Sequence, residues 1–252
     1  MTELARPAYL RLADALRAEI LSGERAPGSR MPSIAALQRE YGVSEQPVRQ
    51  ALRVLTSEGL VEGRPGSGTY VLERPTPRRM GRGRYGAVGS PYAAEVRQQG
   101  AEPSWSFDSE RTHATVGLAN RLGVAVSDPL MQTRYLFRAD DIPVQLSTSW
   151  EPMSVVGGTP VVLPENGPLG GVGVVERMAA IGILVTRVVE DVSARPALQT
   201  EARALGLPVG CTMLTIERTH WADGLAVETA DIVMSADRYR LAYEIDVSPP
   251  RK

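Results

Sequence analysis

Five side chains rich in hydrogen-bonding groups fall close together at Glu45, Gln46, Arg49, Gln50 and Arg53. They offer guanidinium forks, amides and a carboxylate, the groups that recognise base edges and phosphates. Val48, Ala51, Leu52 and Leu55, interleaved with them, form one apolar stripe, so a helix would bury the stripe and turn the polar five outward. The plainer alternative is a solvated helix face. A second group lies further along. Arg134 is flanked by Tyr135 and Leu136, and Gln145, Ser147 and Ser149 alternate on a later segment. An arginine beside two hydroxyls suits a phosphate or a carboxylate. Here the plainer alternative is a surface ion-pair network with hydroxyls on a solvated strand.

The first group has the elements it needs. Ser33 is placed to cap a helix that buries Ile34, Leu37 and Tyr41 and stops at Gly42. Val43 fills the turn, Ser44 caps a second helix, and Pro47 sits in its first turn, where a missing N–H costs nothing. Upstream, Tyr9, Leu12, Leu16 and Ile20 mark another amphipathic helix. Downstream, two short strands flank Arg64-Pro65-Gly66-Ser67-Gly68-Thr69. Gly66 and Gly68 allow that tip a close approach to a sugar-phosphate backbone, and Arg64 supplies charge. Helix, tight turn, helix and hairpin is the order of a winged helix-turn-helix. The competing reading of the tip alone is an ordinary glycine turn.

Residues 7–72 resemble the DNA-binding domain of the GntR family of bacterial transcription regulators. The resemblance rests on Pro27-Gly28-Ser29-Arg30-Met31-Pro32-Ser33, Gly42-Val43-Ser44, Val48-Arg49-Gln50-Ala51-Leu52, Glu58-Gly59-Leu60-Val61 and Gly66-Ser67-Gly68-Thr69-Tyr70-Val71. It implies a double-stranded DNA operator as partner. Two positions depart from the family. Ala35 and Glu45 stand where arginines are usual, and Arg49 alone keeps the pattern. A carboxylate at Glu45 suits the positive end of a helix dipole and repels phosphate.

After residue 72 the chain changes character. Residues 73–91 carry five arginines among Gly and Pro, a composition expected to form a mobile linker. Beyond it, alternating segments joined at Asp140-Asp141 and at Asp223-Gly224 read as two hairpins. Each follows a helix ending in a similar phrase, which makes a weak internal repeat. Strands at 103–110, 183–195 and 239–247 and a helix at 172–181 complete an α+β domain on an antiparallel sheet. The glycine-rich stretch 157–171 reads as a mobile loop. Trp105, Phe107 and Trp150 read as core aromatics. The expected division is therefore 1–72, linker 73–91, and 92–252.

This half resembles the UTRA effector domain of the HutC branch of the GntR family, whose fold is like that of chorismate lyase. Arg134-Tyr135-Leu136, Glu190 to Pro196, Glu201 to Gly206 and Val227-Glu228 carry the resemblance. It implies that Ser90, Arg134, Ser147, Ser149, Arg195 and Glu228 line an effector pocket.

Charge agrees with two roles. Residues 1–84 hold 14 Arg against 9 Asp and Glu, while residues 85–252 hold 14 Arg and Lys against 20. A basic half attracts polyanion and an acidic half stays off it. His113 and His220 stand apart, without metal-ligand spacing. Lys252 is the only lysine, which argues strongly against a pyridoxal-phosphate Schiff base and excludes a P-loop. One cysteine, Cys211, forms no internal disulfide, so a reducing cytoplasm is expected, and no long apolar run suggests a membrane span. The expectation is a non-enzymatic, cytoplasmic homodimeric repressor that answers a small, anionic effector, with no cofactor. A chorismate lyase-like activity in the second half is the competing reading.

Overall fold

The computed structural model describes residues 6–72, 77–82, 89–208 and 210–245. The chain divides into two units, Met1–Pro75 and Thr76–Lys252.

The first unit is α1 (Ala8–Ser22), α2 (Ile34–Tyr41), α3 (Glu45–Ser57) and a hairpin of β1 (Val61–Arg64) and β2 (Gly68–Val71). The apolar stripes meet as their spacing requires: Leu12, Leu16, Leu37, Val48, Ala51 and Leu55 form a core closed by Val61 and Val71. Gly23 and Gly42 end the first two helices in the left-handed region, where glycine carries no Cβ penalty. Arg30 bridges to Tyr70, which ties the α1–α2 connection to the hairpin.

The second unit is a six-stranded antiparallel sheet in the order β4-β5-β6-β9-β8-β7. Its elements are α4 (Pro91–Gln98), β4 (Pro103–His113), α5 (Val116–Leu122), β5 (Pro129–Ala139), β6 (Ile142–Pro152), the short α6 (Met153–Val156), α7 (Val174–Ala180), β7 (Arg187–Pro196), α8 (Gln199–Leu205), β8 (Thr212–Ala222) and β9 (Leu225–Ser235). The internal repeat is stronger than the sequence phrases suggest. Val116 and Gln199, Pro129 and Thr212, and Ile142 and Leu225 open matching elements, each pair 83 residues apart; Pro91 and Val174 open α4 and α7 at the same interval.

The repeat extends to the hairpin geometry. Asp140 and Asp141 in one, and Asp223 and Gly224 in the other, have positive φ, as a tight two-residue turn requires. Two pairs from each turn, the second strand carries an extra residue, Val144 or Val227. The register therefore shifts between Phe137 and Arg138 and between His220 and Trp221.

Two expectations are corrected here. The linker 73–91 is not a tether throughout. Arg78–Gly81 forms β3, which pairs in parallel with β10 (Tyr239–Ala242), and α4 begins at Pro91; residues 73–76 and 83–88 lie outside the described residues. The partner strand of β3 is some 160 residues away in sequence, so local composition gave no sign of it. The 157–171 stretch is packed rather than loose. Val161 is buried, its carbonyl accepts from Arg177 at 2.6 Å, and Glu165 accepts from Trp105 Nε1 at 2.9 Å. Gly170 and Gly171 permit this: a Cβ at Gly170 would lie 2.5 Å from the Glu165 carbonyl oxygen, and one at Gly171 would press on the Trp105 ring.

Candidate functional site

The DNA-facing candidates all lie in the first unit. The Ser33 hydroxyl accepts from the Ala36 N–H at 3.2 Å and fixes the start of α2. Ser44 opens α3 in an extended conformation, and its side chain makes no cap hydrogen bond. Glu45, Gln46, Arg49 and Arg53 are exposed on α3 and Gln50 is half-buried. Glu45 and Arg49 are not independent: Arg49 Nε and Nη2 both donate to one Glu45 oxygen, at 2.7 and 2.6 Å. That contact occupies one edge of the guanidinium and leaves the rest of the fork to a partner. On the hairpin, Arg64 donates to Glu62 and lies 4.3 Å from the Tyr70 ring centroid, while Ser67 bonds the Tyr70 hydroxyl at 2.7 Å. Gly66 and Gly68 form the exposed tip with positive φ, and Arg30, part of the Pro27–Ser33 motif, packs its guanidinium against Gly68.

The second unit contains a cavity over one face of the sheet, with about 150 Å³ open to the centres of water molecules. Its floor comes from matching positions of the two hairpins. Tyr135, Phe137, Gln145, Ser147 and Ser149 come from the first; Arg218, His220, Glu228 and Ile232 come from the second. Trp105 forms a wall, and the lining also takes in Met80, Arg82, Glu165 and the starts of α4 and α7.

Four of the six residues implied for the pocket are there. Ser90 lines it while capping α4, its hydroxyl accepting from the Ala93 N–H at 3.2 Å. Ser147 and Ser149 are each 8% exposed, and Glu228 is fully buried. Arg134 and Arg195 are elsewhere. Arg134 is exposed, sits opposite Thr148, and pairs with Asp108 and Glu110. The reason is the bulge. In a straight hairpin closed at Ala139 and Ile142, Arg134 would stand across from Ser147. The extra Val144 moves Tyr135 into that place and sends Arg134 to the other face. Arg195 donates to both Glu201 oxygens, at 2.7 and 2.6 Å, and clamps β7 to the start of α8.

Other pocket groups were missed or misread. His220 is not isolated; its Nδ1 lies 2.7 Å from Glu228, which also accepts from Arg218 Nη2 at 3.1 Å. Burial alone would raise the Glu228 carboxyl, but the neighbouring Arg218 and His220 bring it down to about 2. Burial and the Arg218 charge hold His220 below its ordinary value. Trp105 walls the cavity and Phe107 is exposed, so neither is a core aromatic, whereas Trp150 is half-buried against the α5 core. Burial, and then the nearby Glu165 carboxylate, raise the Tyr135 phenol. The alternation seen in the sequence could have found Tyr135 and His220 only with the bulge register known.

No helix among the described residues is long and apolar enough to cross a membrane, and no group of metal-ligating side chains occurs among them. The sequence model for bacterial regulatory proteins of the gntR family matches residues 8–71, and that for the UTRA domain matches residues 98–240. The HTH-type transcriptional repressor NagR of Bacillus subtilis is 28% identical, the match covering 95% of each chain. The histidine utilization repressor of Pseudomonas aeruginosa is 27% identical over 95% of this chain and 91% of its own. Among solved structures, a GntR-family transcriptional regulator is 47% identical with a TM-score of 0.85, covering 96% of this chain and 99% of its own. The chain thus belongs to the GntR family, as a transcription regulator that joins a winged helix-turn-helix DNA-binding domain to a UTRA effector domain.

Proposed function

We propose that this regulator is a cytoplasmic homodimeric repressor, and that a small polar effector held in the cavity of the second unit modulates its operator binding. Gln145, Ser147 and Ser149 carry the reading. They occupy three successive inward positions of β6, line the cavity, are each 8% exposed, and make no side-chain hydrogen bond among the described residues. Hydroxyl and amide groups facing a cavity take their hydrogen bonds from whatever fills it, and a polar ligand would supply them. Dimerisation follows from the helix-turn-helix, because two recognition helices meet inverted half-sites one helical turn apart. Effector occupancy and operator affinity are then coupled sites within one chain. The expectation that the effector is an anion rested on Arg134, which lies outside the cavity, and is not carried forward.

The experiment is operator binding by the full chain, with and without metabolite extract. Extract should shift the affinity of the wild type. It should leave unmoved a Ser147→Leu/Ser149→Leu variant that fills the cavity and melts normally. An equal response from a folded double variant would remove the cavity from the mechanism.

A further inference from the structure

The two repeats contribute unlike chemistry to the cavity. The second supplies Arg218, His220 and Glu228; the Arg218 and Glu228 charges answer one another, and Glu228 accepts from both neighbours. Arg82, which also lines the cavity, is nearly buried and ion-paired with Glu190. The first repeat supplies rings. Trp105, Phe137 and Tyr135 run side by side with centroids 6.3 and 5.3 Å apart.

Glu165 reaches into that aromatic side. Its carboxylate accepts from the Trp105 indole N–H at 2.9 Å, a neutral donor, and forms no ion pair among the described residues. Glu176, also on the lining, accepts from the Gly89 backbone N–H at 2.8 Å, another neutral donor. A carboxylate held by neutral donors keeps its charge, and ring faces add negative potential. An anion entering here would meet both carboxylates. Arg218 and Arg82 each already face a carboxylate, Glu228 and Glu190, so much of their charge is answered before an anion arrives.

We infer that the cavity takes a small organic cation, its positive end against Glu165 and the Trp105–Tyr135 wall and its polar remainder on Gln145, Ser147 and Ser149. This rests on the cavity being the effector site, and the two ideas can fail separately.

Calorimetry on the full chain with three probes tests it. The probes are choline, its uncharged analogue with tert-butyl in place of trimethylammonium, and inorganic phosphate. Choline should bind at least about tenfold more tightly than the analogue. Glu165→Gln retains an oxygen acceptor for Trp105, so it should melt like the wild type while losing that preference. The Ser147→Leu/Ser149→Leu variant should not bind choline. No choline binding, equal or tighter binding of the analogue or phosphate, or a preference that survives either variant would each overturn the assignment. Those results leave the effector-site reading to the extract experiment, which does not depend on ligand charge.

Discussion

Glu228 offers the sharpest test of the polar floor. It is fully buried and accepts from Arg218 and His220, and its carboxyl is held near 2 against an ordinary 4.5. A depression of that size corresponds to about 3 kcal/mol of folding stability by linkage. Because the folded value is depressed, this stability is fully present above about 4.5 and is lost as pH falls toward 2. His220, also held below its ordinary value, acts in the same direction, since the unfolded chain takes up its proton first. Glu228→Gln should therefore destabilise the effector domain by about 3 kcal/mol at neutral pH, in line with removal of one partner from a buried pair. The assay is urea unfolding followed by tryptophan fluorescence, because Trp105, Trp150 and Trp221 all belong to the second unit. The gap between wild type and variant should narrow as pH drops below about 4.5. A loss under about 1 kcal/mol, or a gap that stays constant with pH, would refute the buried ionised carboxylate.

Two further perturbations separate the roles of the arginines. Arg49→Ala should cost about 1–3 kcal/mol of operator affinity if it reads a base; its exposed contact with Glu45 is worth only about 0.3–0.5 kcal/mol, so melting should hardly change. Unchanged affinity at fixed salt would take Arg49 out of the interface. Arg134→Ala should leave the effector response intact and stability within about 1 kcal/mol, since the residue sits in an exposed ion-pair cluster. Loss of the response in a folded Arg134→Ala protein would contradict the register described above.

The winged helix was legible because its determinants are local. Ser33, Gly42, Ser44 and Pro47 punctuate the helices, and the apolar spacing of Leu37, Val48 and Leu55 states which faces meet. The pocket was half legible. Ser147, Ser149 and Glu228 were found, but composition does not reveal which strand face a residue takes after a bulge, and Val144 carries no signature of one. Glu165 could not be placed because its partner, Trp105, is 60 residues away and the connection depends on two glycines tightening a loop. The strand at Arg78–Gly81 was hidden for the same reason: its partner is the far end of the chain.

Both bulges fall two pairs from their turns, so they shape the site rather than mark a local irregularity. Each lets one strand present one alternate set of residues before the bulge and the other set after it. Beyond Val144 the inward set on β6 is Gln145, Ser147 and Ser149; beyond Val227 the inward set on β9 begins with Glu228. The residues across from them, Phe137 and His220, occupy the same place in the repeat and have opposite character, one aromatic and one a partner for a carboxylate. A duplicated scaffold would give a symmetric cavity if its inward residues matched. They do not match, so the cavity has an aromatic end where Glu165 accepts from an indole N–H and a charged end where Glu228 accepts from Arg218 and His220. A ligand with distinct ends would bind it in one orientation, and a regulator that must tell one metabolite from another requires that property.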